Sequence, residues 1–249
     1  MTVEESKRNG FHRQPIDRLP AGRLLIAGTL ALVVLGWIGL FHLIEREKAE
    51  AIEKAAATNA SLTRAFGEHV RSGIKLIDTY SWQLATEIEH RGIERVNLGA
   101  QGRRIDSALP FIQQIGIISA DGKLAASVPD FPRVDLTDRE HFRVHRDNAG
   151  ARLFIATPVR FRTSGKWTIP LSRRLYTPRG GFAGVLVIGL DAEYFSSYFS
   201  GVSLGSRDAM SIARSDGVVL VRRVGDRIFY AETAAELPWF KAAQSDTAG

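Results

Sequence analysis

The sequence contains no cysteine and only two methionines and nine prolines in 249 residues. The absence of cysteine excludes disulfide scaffolds, cysteine-ligated zinc, iron–sulfur clusters and thiol catalysis. A concentrated block of positive charge is also missing, because the net charge of +6 is spread along the chain. Nucleic-acid-binding proteins usually gather their basic residues on one face or segment, so we expect no nucleic-acid partner.

One segment, Leu24–Ile44, has no formally charged residue. As a helix it would be about 31 Å long, close to the thickness of the hydrocarbon core of a bilayer. Charged residues follow directly at 45–48 without a small-residue cleavage site, which favours an uncleaved transmembrane helix over a signal peptide or a buried core helix. Lys and Arg are slightly more numerous before the segment than after it, which predicts a cytoplasmic tail (1–23) and an extracytoplasmic remainder (45–249), periplasmic at a bacterial inner membrane.

After this segment, apolar residues recur at three- and four-residue steps from Glu45 to about Arg95, with charges between them. The spacing predicts one long signalling or dimerisation helix, which we assign to residues 45–100. Such a helix either pairs with a second copy through residues 46–95 or covers a sheet, and both can hold over different stretches. A homodimer and the lipid bilayer are therefore expected partners.

From Ile115 the pattern changes to strand-like runs separated by turn signals. Residues 115–129 read as a hairpin around Asp121 and Gly122, and 137–148 read as a short helix capped by Thr137 or Asp138. Further strands are predicted at 153–161, 167–176 and 182–191, a short helix at 192–199 and a second hairpin at 208–223. The fold class predicted is α+β, with one larger and one smaller antiparallel sheet.

Five runs together resemble the double-Cache (PDC) sensor domain of bacterial transmembrane receptors. The runs are DLTDREHF (135–142), RLFIATPV (152–159), WTIPLSRRL (167–175), GGFAGVLVIGLDAEYF (180–195) and SRDAMSIARSDGVVLVRR (206–223). The resemblance covers about residues 24–235 and is greatest to sensors that precede diguanylate cyclase, phosphodiesterase or histidine kinase domains. It implies a long helix packed on PAS-like antiparallel sheets.

The resemblance also implies that two parts of the chain form different subdomains. Residues 101–203 would form the membrane-distal subdomain, which holds a small ligand, and 204–249 a partial membrane-proximal subdomain. The chain ends without a second membrane span or a G-G-D-E-F, E-A-L or kinase motif. We therefore expect an incomplete second sheet, in a truncated receptor or a stand-alone sensor.

The amino-acid-binding members of this family carry the motif D-x-x-x-R-x-W-Y, and here Asp135 and Arg139 are followed by His141 and Phe142. By resemblance, Arg139 would clamp a ligand carboxylate, since a guanidinium binds a carboxylate in bidentate fashion. His141 and Phe142 would line the pocket. The open alternative for Arg139 is a salt bridge to Asp135 or Asp138, or a surface charge.

Two further residues complete the predicted ligand-binding site. Asp191 lies where the family places the acid that meets an amino group, although a helix cap is an equal alternative. Arg173 could add a second cation, unless it is a solvent-facing strand charge. Because Val159 stands where amino-acid binders have Tyr and the aromatic pair is changed, we expect an organic anion, such as a carboxylate, rather than a standard amino acid.

Catalysis and metal binding find little support in the sequence. His141 and His145 lie four residues apart on a predicted helix, but no third ligand is evident. No G-x-S-x-G motif or cysteine nucleophile is present. We therefore expect no enzyme, no metal and no cofactor. The alternative function is a membrane-anchored periplasmic scaffold without a ligand.

Overall fold

The computed structural model describes residues 21–101, 109–150, 152–161, 165–194 and 208–246. The chain divides into two units, Met1–Arg71 and Ser72–Gly249. Most of the predicted cytoplasmic tail, the end of the helix predicted at 192–199 and the predicted boundary at 203–204 lie outside the described residues.

Helix α1 (Ala21–Arg91) begins in the first unit and has 71 residues. Its apolar segment is exposed along its whole length, and within the described residues α1 is the one helix with the length and hydropathy to cross a membrane. Thr29 donates its hydroxyl hydrogen to the carbonyl oxygens of Leu25 and Ile26, at 3.0 and 2.9 Å. The segment is therefore consistent with the span of a single-pass membrane protein.

In the second unit α1 ends earlier than the predicted Arg95. Gly92 has a φ of 84°, in the left-handed region that favours glycine, and it stops the helix. A 3₁₀ turn follows at Ile93–Arg95. The side chains of Ile77, Leu84 and Ile88 are buried, so this part of α1 covers apolar surface rather than standing in solvent.

A six-stranded antiparallel sheet forms the centre of the second unit, in the order β2-β1-β6-β5-β3, with β4 also paired to β5. Its strands are β1 (Ile112–Ser119), β2 (Leu124–Val128), β3 (Leu153–Ile155), β4 (Val159–Arg160), β5 (Trp167–Tyr176) and β6 (Phe182–Asp191). The single strand predicted at 153–161 is divided in two, because Pro158 has no amide hydrogen to continue the ladder. Helix α2 (Glu140–Asp147) packs against this sheet.

A smaller four-stranded sheet follows along the chain, in the order β10-β8-β7, with β9 paired to β8. Its elements are β7 (Ala209–Ala213), β8 (Val218–Val224), β9 (Arg227–Phe229), β10 (Glu232–Thr233) and, after them, helix α3 (Pro238–Asp246). Val219, Ala234 and Phe240 form its buried cluster. The predicted α+β fold of a long helix followed by two antiparallel sheets is confirmed.

The cross-strand register assigns the residues of the large sheet to two faces. Ile117 of β1 lies opposite Leu186 of β6, which lies opposite Arg173 of β5, and Arg173 contacts α1. One residue further along β1, Ile118 packs in a cluster with Phe142 of α2. Since side chains alternate along a strand, one face of the sheet turns to α1 and the other to α2.

Candidate ligand-binding cavity

A cavity of about 150 Å³ lies on the α2 face of the large sheet. Its floor is made by β1, β5 and β6, one wall by the segment 129–136, and the rest by β4 and the start of α2. The lining is predominantly apolar. It consists of Gln114, Gly116, Ile118, Leu124, Ser127, Phe131, Pro132, Val134, Leu136, Arg139, His141, Val159, Arg160, Phe161, Pro170 and Val187.

Small residues in the sheet leave room for the cavity floor. Gly116 lies in the lining, opposite Val187. Gly189 lies opposite Gln114, and a Cβ atom at this position would be 2.6 Å from Gln114 Cγ and 2.8 Å from Thr168 Cγ2. A larger residue at position 189 would therefore displace Gln114, which itself lines the cavity.

The wall formed by residues 129–136 is fixed to the β1–β2 hairpin by backbone hydrogen bonds. The amide of Leu124 donates to the carbonyl oxygen of Val134 at 3.0 Å, and the amide of Leu136 donates to that of Gly122 at 2.8 Å. Phe131, between these contacts and β2, packs against Phe161 with ring centroids 5.8 Å apart. Aromatic and aliphatic side chains thus enclose one side of the cavity.

Arg139 brings a guanidinium group to the cavity from the residue directly before α2. Its side chain is 26% exposed, and its Nε lies 3.7 Å from the carboxylate of Asp138, which is 70% exposed. An ion pair of this length with a solvent-exposed partner is weak. Arg139 thus forms the salt bridge that was the alternative to a ligand-binding role, but it still lies in the cavity lining.

Arg160 supplies a second guanidinium to the lining, from β4. Its Nε donates to the carbonyl oxygen of Gly165 at 2.9 Å, which holds the side chain along the β4–β5 turn. Arg160 is not among the site residues predicted from the sequence. Its position two residues after Pro158, on the strand that the family resemblance already placed at the site, is the signal that could have revealed it.

His141 is buried beside these cations, with 8% of its surface exposed. Burial, reinforced by the positive charge of Arg139, lowers the pKa of His141 to about 4. The imidazole is therefore neutral at pH 7. The lining thus combines two permanent positive charges with neutral side chains, and none of its residues carries a carboxylate.

Phe142 lies behind the cavity rather than in its lining. It is 1% exposed and packs with Ile118, Val185 and Val187, and its ring centroid is 5.8 Å from that of Phe182. This packing holds α2 on the sheet and so fixes the positions of its neighbours His141 and Arg139.

Arg173, predicted to act with Arg139, lies on the opposite face of the sheet. Its guanidinium binds the carboxylate of Asp78 on α1, and its Nε donates to Ser81 Oγ at 3.0 Å. Strand alternation sends Arg174 instead toward α2, where it donates to the carbonyl oxygen of His145. The expected pairing of Arg139 with Arg173 in one pocket is therefore wrong, because the sheet lies between them.

Asp191 lies at the end of β6 and acts as a cap. Its carboxylate oxygen accepts a hydrogen bond from the amide of Glu193 at 2.8 Å, which agrees with the helix-cap alternative. Asp191 does not line the cavity of about 150 Å³. The structure thus brings together Arg139 and His141 from the predicted set, with Phe142 behind them, and places Arg173 and Asp191 elsewhere.

Helix α2 is also tied to the smaller sheet, through Glu140. One carboxylate oxygen of Glu140 accepts a hydrogen bond from Arg214 at 3.0 Å, and the other accepts one from the amide of Thr157 at 2.8 Å. Burial alone would raise the pKa of Glu140, but these hydrogen bonds outweigh it and lower the pKa. Residues 139 and 141 thus face the cavity, while Glu140 between them binds the neighbouring sheet.

Comparison with solved structures identifies similar folds. The extracellular domain of rpHK1S-Z16, described as a histidine kinase, is 28% identical with a TM-score of 0.65, and the match covers 75% of this chain and 77% of that one. An extracellular ligand-binding receptor from Desulfohalobium retbaense is 14% identical with a TM-score of 0.54, over 74% of this chain and 33% of that one. No protein-family model and no curated protein matches the chain.

The fold is that of the extracellular sensor domains of bacterial receptors, and it agrees with the double-Cache resemblance of the sequence. The similar domains are sensor domains, which supports a sensing module. Together with the apolar part of α1, it makes the chain a membrane-receptor sensor.

Proposed function

We propose that this chain senses a small organic anion on the extracytoplasmic side of a bacterial inner membrane. The observation that carries the proposal is the predominantly apolar cavity with Arg139 in its lining. A guanidinium at the edge of an apolar cavity is suited to a carboxylate, which it can bind through two parallel hydrogen bonds. The sensor-domain fold supports this function, and the solved receptor from Desulfohalobium retbaense is itself described as ligand-binding.

The proposed membrane topology has the N-terminus in the cytoplasm and residues 45–249 outside it. It rests on the slight excess of Lys and Arg before the apolar segment and on the extracellular location of the similar domains. A helix that runs from the apolar segment to the sheet would carry a displacement of the sheet toward the membrane. Ligand binding would favour one arrangement of α1 over another, as a shift of population.

Ligand binding is tested by thermal unfolding of the full chain in lipid nanodiscs, followed by tryptophan fluorescence. Carboxylates, amino acids and neutral metabolites are screened. A ligand at about 100 times its Kd should raise Tm by about 5–10 °C. Arg139→Gln should abolish this shift. Arg143→Gln, an exposed arginine on the same helix, serves as the matched control and should retain it.

Two results would contradict the proposal. Either no anion stabilises the protein, or the stabilisation persists in Arg139→Gln. A protein without any ligand-dependent shift would instead be a periplasmic scaffold, the alternative function, which predicts that Arg139→Ala is tolerated.

Dimerisation through residues 46–95 forms a separate part of the proposal. Leu76 on α1 is 50% exposed, and Leu62 is 38% exposed, so apolar side chains on this helix are available to a second copy. Because the chain has no native cysteine, Leu76→Cys provides a single thiol. Oxidation in native membranes should produce a disulfide-linked dimer, whereas Arg143→Cys should remain monomeric. Equal crosslinking of the two variants would contradict this assignment.

A further inference from the structure

We infer that the ligand is a monocarboxylate with an apolar body and without an ammonium group. The inference rests on the proposed function, since it concerns the same cavity. It goes further by excluding both the zwitterionic amino acids and the small polar dicarboxylates.

The charge of the lining disfavours an ammonium group. Arg139 and Arg160 are both cations, and His141 is neutral at pH 7. Among the lining residues that the structure describes there is no carboxylate, and Asp191, the acid that would meet an amino group, binds the amide of Glu193 instead. An ammonium group in this cavity would lose its hydration and gain no counter-charge, which is costly.

The lining also determines what the rest of the ligand must be. Opposite the sheet, Phe131, Pro132, Val134 and Leu136 form a continuous apolar wall, and Phe161 closes it at one side. A second carboxylate or a hydroxyl-rich chain buried against this wall, away from Arg139 and Arg160, would leave oxygen atoms without donors. An aliphatic or aromatic group gains free energy in the same place, because it removes apolar surface from water.

The volume limits the size of that apolar group. A cavity of about 150 Å³ holds roughly one benzene ring, as an engineered cavity of that size in another protein does. Val159 contributes to this space, because the tyrosine found there in the amino-acid binders would occupy part of it. A phenyl ring or a branched chain of similar size therefore fits, attached to a carboxylate that reaches Arg139.

The test uses pairs of probes that differ only in the ammonium group. 3-Phenylpropionate is compared with L-phenylalanine, and 4-methylpentanoate with L-leucine, while succinate represents the polar dicarboxylates. Binding to the full chain in nanodiscs is measured by titration calorimetry and by Tm. We expect at least one desamino acid to bind at least about tenfold more tightly than its amino acid partner and than succinate.

Variants connect this preference to the cavity. Arg139→Gln should remove binding of the desamino acid, whereas the control Arg143→Gln should not. Val159→Phe, at a short edge strand where folding should be preserved, should weaken 3-phenylpropionate more than 4-methylpentanoate. An unchanged Tm of the unliganded Val159→Phe protein verifies that it is folded.

The outcomes separate this inference from the proposed function. If an amino acid or succinate binds as tightly as the desamino acids, or if neither desamino acid binds while another compound binds in an Arg139-dependent way, the ligand class is wrong and the sensing function stands. If no compound binds in an Arg139-dependent way, both fail.

Discussion

The two faces of the large sheet use arginine in opposite ways. On the α1 face, Arg173 is bound by the protein itself, through Asp78 and Ser81. On the α2 face, Arg139 has a single, distant ion pair with an exposed aspartate, and it borders a cavity. One arginine thus fastens α1 to the sheet, whereas the other borders the cavity where we propose that a ligand binds.

This difference extends to the apolar residues. The α1 face is lined by fully buried side chains such as Ile117, Leu186 and Ile188. Gly116 lies in the cavity lining on the α2 face, where Ile118 and Val187 border the same space. The α2 face can therefore admit a ligand while Ile117, Leu186 and Ile188 stay packed on the α1 face.

The comparison predicts unequal costs for one substitution at two adjacent positions. Ile117 and Ile118 are both 0% exposed and lie on opposite faces of β1. Ile117→Ala should lower the free energy of unfolding by about 3–5 kcal/mol, since it opens a void in a packed core. Ile118→Ala should cost about 2–3 kcal/mol, because part of its side chain already borders the cavity. Denaturant unfolding of the two variants measures the difference, and a larger cost at Ile118 would contradict the contrast between the faces.

The second prediction concerns pH and two histidines of α2. The pKa of His141 and that of His145 are both lowered to about 4, in each case mainly by burial. A histidine whose pKa is lower in the folded protein stabilises it above the unfolded pKa of about 6.5, and this stability is lost as pH falls toward 4. At 1.36 kcal/mol per pKa unit, each histidine lowers the free energy of unfolding by up to about 3 kcal/mol when the pH reaches 4.

Glutamine substitutions separate the two histidines. His141→Gln and His145→Gln should each flatten the loss of stability between pH 6.5 and 4, measured by urea unfolding at a series of pH values. A bound carboxylate should raise the pKa of His141, which borders the cavity, and leave His145 unaffected, since that residue bonds Ser172 Oγ at 2.9 Å. NMR titration of both imidazoles with 3-phenylpropionate tests this, and equal shifts would contradict the assignment of the cavity.

The sequence predicted the long strands accurately and the short ones poorly. The bounds of β5 and β6 coincide with the predicted 167–176 and 182–191, because long apolar runs are flanked by glycine-containing turns. The run 153–161 divides into β3 and β4 at Pro158, which has no amide hydrogen to continue the ladder, although Ala156 before it still donates to the carbonyl oxygen of Pro170. The apolar pattern continues across this break and so does not mark it.

The site was only partly predictable, because the sequence does not show on which face of the sheet a strand side chain lies. The family motif led to Arg139 and His141, which lie in the cavity lining, although their role in binding is still a prediction. Strand alternation allows only one of Arg173 and Arg174 to face the site, but the sequence alone does not say which face of the sheet α1 covers. Arg160 was missed because the run that carries the family resemblance ends one residue before it, at Val159.

The smallest effects are expected from the arginines themselves, replaced by methionine to keep the length of the side chain. Arg173→Met removes the partner of Asp78 and the hydrogen bond to Ser81, where the side chain of Arg173 is 14% exposed and that of Asp78 is 52% exposed. Because Asp78 retains access to water, the cost should be about 1–2 kcal/mol rather than that of a fully buried pair. The measurement is the free energy of unfolding of the unliganded protein.

Arg139→Met should change that free energy by less than about 0.5 kcal/mol, since its ion pair with Asp138 is long and exposed on one side. If Arg139 served to stabilise the fold, Arg139→Met would lower the free energy of unfolding more than Arg173→Met. That result would mean that Arg139 holds α2 in place, and that the openness of the α2 face has another cause than ligand binding.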